Sequence, residues 1–89
     1  MPEICRFNGI TIDMYAFDTD RHKSPHIHVF YRDAKYVYGL DGEVIEKKGN
    51  IPGKQRREIQ EWIFARQIHL LEDWDRAIQG LPIYKIDPL

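Results

Sequence analysis

Three histidines fall close together in the segment RHKSPHIHV, at His22, His26 and His28. Side chains alternate faces along a strand, so His26 and His28 point the same way, with Cβ atoms roughly 7 Å apart. His22 precedes them in a loop whose entry to the strand Pro25 restricts, and three imidazoles can converge there. With side-chain pKa values near 6.5, one neutral ring serves as general base and a second, protonated, as general acid. Next to a phosphate-binding cation, that is the chemistry of a metal-independent ribonuclease, in which the RNA 2′-hydroxyl is the nucleophile. The same rings also suit the three-ligand pattern of a catalytic zinc site, and Asp13 on the neighbouring strand would orient a ring or supply a fourth ligand. The plainer reading makes His26 and His28 partly exposed strand residues that help pack Phe30, Tyr15 and Phe17. The candidate catalytic set is therefore His26, His28 and His22, with neither a metal nor a cofactor assigned.

Phosphate-binding candidates lie nearby and further along. Lys54, Arg56 and Arg57 stand where a helix should begin, and the N–H groups and dipole of a helix start favour an anion. Lys23 sits among the histidines and joins them. From Lys47 to Arg57 there are five cations and no acid, whereas Glu72, Asp73 and Asp75 gather later. The formal net charge is −1, so no global field draws nucleic acid to the chain. His69 reads as structural, and Trp62 and Trp74 as core. Tyr31, Tyr36 and Tyr38 are strand aromatics, any one of which could stack a base.

The elements that must hold these residues are legible. Asn8-Gly9 separates EICRF from ITIDMYAF, and Asn-Gly between apolar-alternating runs is a strong hairpin signal. Residues 18–25 form a loop by composition. His26 to Arg32 reads as a third strand, with Ile27, Val29 and Tyr31 on one face and His26, His28 and Phe30 on the other. Lys35 to Leu40 makes a fourth strand, Asp41-Gly42 a two-residue turn, and Glu43 to Lys48 a fifth. Helix follows, with Asn50 as the expected cap and Pro52 in the first turn. Ile59, Trp62, Ile63, Leu70 and Trp74 share one stripe, and Gly80 with Pro82 stops the helix. Either one long helix spans residues 52–79, or a break near Arg66–His69 divides it. Phe64, Ile68 and Leu71 make a second apolar face, which would pack a further part of the domain or another chain. The closing IYKIDPL is a short strand or an extended tail.

The expectation is one α+β domain over residues 1–89. An antiparallel β-meander of about five strands (1–48) leads to one long or two short helices (50–80) and a short terminal strand or extended tail (81–89). Eighty-nine residues, 43% hydrophobic and 12% aromatic, suit one folded domain rather than a disordered chain. No apolar run reaches the roughly 20 residues a membrane span needs. Cys5 is the only cysteine, so no intrachain disulfide forms and a reducing, cytoplasmic compartment is expected.

MPEICRFNGITIDMY, SPHIHVFY, GEVIEKKGNIP, the helical EIQEWIFARQIHLLEDWDRA and the closing KIDPL together resemble a family of small bacterial proteins, domain of unknown function 4160. That family's pattern has two prolines before the first histidine, where this chain has Ser24-Pro25, and an aromatic between the histidines, where it has Ile27. The resemblance implies a component of a two-gene module similar to toxin–antitoxin pairs, with a cognate small protein from a neighbouring gene as partner. Joined to the residues above, it leads to a component that binds or cleaves RNA with the strand-borne histidine pair. A non-enzymatic partner-binding or DNA-binding regulator of antitoxin type is the alternative, and a histidine-rich metal-binding protein a further one. A homodimer through Phe64, Ile68 and Leu71 fits either of the first two.

Overall fold

Residues 3–16 and 24–89 are described by the computed structural model. Five strands run β1 (Glu3–Phe7), β2 (Ile10–Asp13), β3 (His26–Tyr31), β4 (Ala34–Gly39) and β5 (Val44–Lys48), followed by α1 (Gly53–Ala65) and α2 (Gln67–Ile78). The strands form one sheet in the order β1-β2-β3-β4-β5, each antiparallel to its neighbours. This is the expected meander: an α+β fold with β1 and β5 at its edges.

Local chemistry sets the turns. Asn8 and Gly9 both take positive φ, at 49° and 78°, which matches the twist of the strands they join. The β4–β5 connection is wider than the expected Asp41-Gly42 pair. Gly39, the last residue of β4, donates its N–H to the Glu43 carbonyl at 2.9 Å and accepts the Gly42 N–H at 3.0 Å, and the Asp41 carboxylate caps the Glu43 N–H.

Pleating gives the sheet two different faces. One carries the aligned rows Cys5, Ile12, Val29, Tyr36 and Phe7, Ile10, Tyr31, Ala34. Ile59, Trp62 and Ile63 of α1, with Leu70 and Trp74 of α2, are buried with these residues in the core, and the Trp62 ring lies 6.3 Å from that of Phe7. Burying each large side chain there contributes about 1.5–3 kcal/mol. The opposite face carries the row Glu3, Asp13, His28, Val37, Glu46 and, beside it, Thr11, Phe30, Lys35, Lys48.

The helical segment is divided. Arg66, at φ −118° and ψ 23°, interrupts it, giving two helices rather than one long one. Pro52, not Asn50, occupies the cap of α1, and no side chain bonds the free N–H groups there. At the other end Gly80 takes φ 73°, and the Leu81 N–H returns to the Arg76 carbonyl at 2.8 Å, a glycine-terminated helix end as expected.

The last residues form an extended tail rather than a strand. It touches the edge of β1 through one backbone bond, from the Ile86 N–H to the Ile4 carbonyl at 2.7 Å. Trp62 Nε1 and Arg66 Nε both donate to the Asp87 carbonyl, at 2.9 and 3.0 Å, so α1 binds the tail down. Phe64, Ile68 and Leu71, the second apolar face, are exposed. No helix among the described residues is long and apolar enough to cross a membrane.

Candidate functional site

His26 is the first residue of β3 and His28 lies two positions on, so the pleat puts both on the face away from α1. Their rings meet edge to face, with centroids 5.2 Å apart. The expected partial exposure is not found: His26 is 0% and His28 2% exposed. Trp74 closes the start of the strand, its ring 5.1 Å from His26. Tyr15 lies flat on His28, with centroids 4.2 Å apart. The expected packing partner Phe17 is outside the described residues, as are His22 and Lys23.

Polar contacts account for two of the ring nitrogens. His26 Nδ1 is 2.7 Å from the Ser24 carbonyl. A carbonyl only accepts, so the hydrogen sits on Nδ1 and the ring donates. His28 Nδ1 is 3.1 Å from the Tyr15 hydroxyl. Asp13 stands opposite His28 across the β2–β3 ladder and is buried with it. Burial pushes the Asp13 carboxyl above the usual carboxylate range, and the negative charge of Glu3 adds to the rise. Among the described residues, no group of three or more His, Cys, Asp or Glu is placed to hold a metal ion. Cys5 is buried, and that burial pushes its thiol up, as for an inert core cysteine rather than a nucleophile.

A general acid or base must come within hydrogen-bond reach of the proton it moves. Among the described residues Tyr15, Trp74 and the two rings themselves cover the pair, and at 0% and 2% exposure neither ring presents an open edge to a substrate. What this cluster can do is close the face of the sheet while satisfying its own polar atoms.

The cations are arranged differently. Lys47 and Lys48 lie on the edge strand β5, and Lys54, Arg56 and Arg57 in the first turns of α1; all five are exposed. Lys48 faces Lys35 directly across the β4–β5 ladder. Like charges at that position destabilise a sheet. The first turn of α1 holds no acidic residue, so Lys54, Arg56 and Arg57 also oppose the positive end of the helix dipole. The guanidinium groups of Arg56 and Arg57 converge, with nitrogens 3.5 and 3.6 Å from where a Cβ on Gly53 would sit. Among the described residues none of these five cations has an ion-pair partner. Aromatic rings are interleaved with the positive charge: Lys35 Nζ lies 5.6 Å from the Phe30 centroid and the Arg32 guanidinium 5.3 Å from that of Tyr31. Tyr36 and Tyr38 are buried and open to no base.

The two groups do not form one site. His26 and His28 project from the face opposite α1, whereas Lys54, Arg56 and Arg57 belong to the helix layer. The expected combination of a histidine acid–base pair with those cations is therefore not assembled. Sequence reasoning missed Arg32 and Lys35 as candidate cations, although a two-residue turn at Asp41-Gly42 already sets Lys35 opposite Lys48, the pair the structure shows.

Residues 9–75 match a family described as Domain of unknown function (DUF4160). No curated protein and no solved structure matches the chain.

Proposed function

The chain belongs to the DUF4160 family, and from that premise we propose that it binds RNA through the basic edge of β5 and the start of α1. In this reading it is the RNA-binding member of a two-protein, toxin–antitoxin-like module in the bacterial cytoplasm. The observation that carries the reading is the unpaired positive charge set against local electrostatics. Lys48 opposite Lys35, and basic residues at a helix N-terminus, lower the stability of the free protein, and phosphate bound there offsets both penalties. Half-buried Phe30, on the same face as Lys35 and Lys48, favours a single strand, whose bases stack on an aromatic ring while its backbone tracks positive charge. A groove reader would instead present a helix face of basic and amide residues to a duplex. Binding rather than cleavage follows from the enclosure of His26 and His28.

The test is fluorescence anisotropy of a labelled single-stranded RNA against wild type and Lys47→Gln/Lys48→Gln/Arg56→Gln/Arg57→Gln. Four phosphate contacts predict that affinity falls roughly 50-fold between 50 and 200 mM salt, at about 0.7 logarithmic units per contact. The neutralised chain should bind at least about tenfold more weakly, lose most of that salt dependence and melt no lower than wild type. Equal affinity in the two proteins, or no binding by wild type, contradicts the proposal.

A further inference from the structure

Away from the basic edge, where α1 meets α2, the surface turns apolar. Phe64, Ile68 and Leu71 are 59%, 73% and 51% exposed, large values for three neighbouring apolar side chains. Ile68 and Leu71, three residues apart, share one side of α2, and Phe64 stands just before them at the end of α1, across the break at Arg66. The Phe64 ring covers the β4–β5 turn, 2.9 Å from where a Cβ on Gly42 would sit. Leu71 shares a cleft of about 380 Å³ with Leu40 and Ile45, between that turn and α2. The cleft is braced: Gln67 Nε2 donates to the Ile63 carbonyl at 3.1 Å and also to the Leu40 carbonyl, tying helix to turn. Exposed apolar side chains beside a cleft are the kind of surface that marks an interface.

Charge identifies the occupant. Every charged residue three or four positions from Phe64, Ile68 or Leu71 is acidic, namely Glu61, Glu72 and Asp75. Among the described residues, the charged ones lining the cleft are Asp41 and Glu43. A second copy docking through the same face by two-fold symmetry would set these carboxylates against their equivalents. We infer that this face seats a short amphipathic helix of a different protein, its apolar stripe bordered by lysine or arginine. Phe64 on one side of the break and Ile68 and Leu71 on the other, with the cleft beside them, give the apolar stripe of such a helix its anchors. This inference is independent of RNA binding, which uses other residues.

The test uses the full chain, labelled with nitrogen-15, and two synthetic helix-forming peptides. Both carry leucine at i, i+3, i+4 and i+7; one has lysine at the flanking positions and its twin has glutamate. The lysine peptide should shift amide signals of residues 40–45 and 64–71 and bind at least about tenfold tighter than its twin. Ile68→Ser/Leu71→Ser, at exposed positions that leave the core intact, should abolish the shifts. Lys47→Gln/Lys48→Gln/Arg56→Gln/Arg57→Gln should leave them unchanged. Sedimentation of the chain alone should give a monomer. Equal binding of the twins, absence of binding by both, shifts centred elsewhere, or a dimer dissociated by Ile68→Ser/Leu71→Ser would overturn the inference.

Discussion

The histidine face and the basic edge use polar residues in opposite ways. At the first, Tyr15, His26 and His28 stack and meet edge to face beside buried Asp13, with His28 Nδ1 at the Tyr15 hydroxyl and His26 Nδ1 at the Ser24 carbonyl. At the second, Lys47, Lys48, Lys54, Arg56 and Arg57 stay exposed without ion-pair partners among the described residues. Residues of catalytic type are thus enclosed in the fold, while the cations stay at the surface, with Lys47 Nζ 5.9 Å from the Tyr36 centroid. Residue type alone would have assigned these roles the other way round, because histidine is the commoner catalytic residue and lysine the commoner solvated surface one.

The largest expected effect that separates the two regions comes from His28→Ala. It removes the ring stacked on Tyr15, takes away the His28 Nδ1 contact of the tyrosine hydroxyl and leaves a void beside Asp13. A loss of about 2–4 kcal/mol is expected from the broken buried hydrogen bond and the cavity together, read as a shift in denaturant midpoint. The RNA affinity of the folded fraction should not change. Unaltered stability with weakened RNA binding would reverse the assignment of the two regions.

A smaller effect concerns Asp73, a buried acid that also serves the fold. Its Oδ1 accepts the Tyr84 N–H at 3.0 Å and fixes the start of the tail, while Oδ2 is buried without a partner. Burial raises its pKa above the ordinary value, outweighing the opposing pull of the Tyr84 bond and of Arg76. The ionised side chain therefore lowers stability at neutral pH. That loss disappears as the pH falls through the raised folded pKa toward the ordinary carboxylate value. Asp73→Asn keeps the acceptor and discards the charge. It should stabilise the protein at pH 7 by under about 1 kcal/mol, since the amide leaves its own N–H groups unmatched. The advantage should shrink steadily on acidification, measured by thermal melting across pH. An advantage that grows toward low pH would contradict the assignment of Asp73 as a buried, costly carboxylate.

Much of the fold was legible because it rests on local chemistry. Asn8-Gly9 could hardly be anything but a tight turn, and the period-two alternation of Ile27, Val29 and Tyr31 against His26, His28 and Phe30 set the faces of β3 correctly. Gly80 ended the helix through its positive φ. Features that depend on distant contacts were harder to read. Whether His28 is open or covered depends on where Tyr15 comes to rest, and His26 on how far α2 carries Trp74. Asn50 has the chemistry of a cap, but the helix starts after Pro52. The tail has the composition of a strand, yet Asp87 and Pro88 give their carbonyls to Arg66 instead of to a ladder. The candidate cations were visible as a run without acids. Their frustration was within reach too, because a turn at Asp41-Gly42 sets Lys35 opposite Lys48 and the ladder keeps that pair.

The most direct test of the central claim is an amide-resolved nuclear magnetic resonance titration of the full chain with a short single-stranded RNA. The account predicts shifts centred on Lys47, Lys48, Lys54, Arg56 and Arg57, with His26, His28 and Tyr15 unmoved and the RNA recovered intact. Shifts centred on His26 and His28, or RNA shortened during the titration, would contradict it.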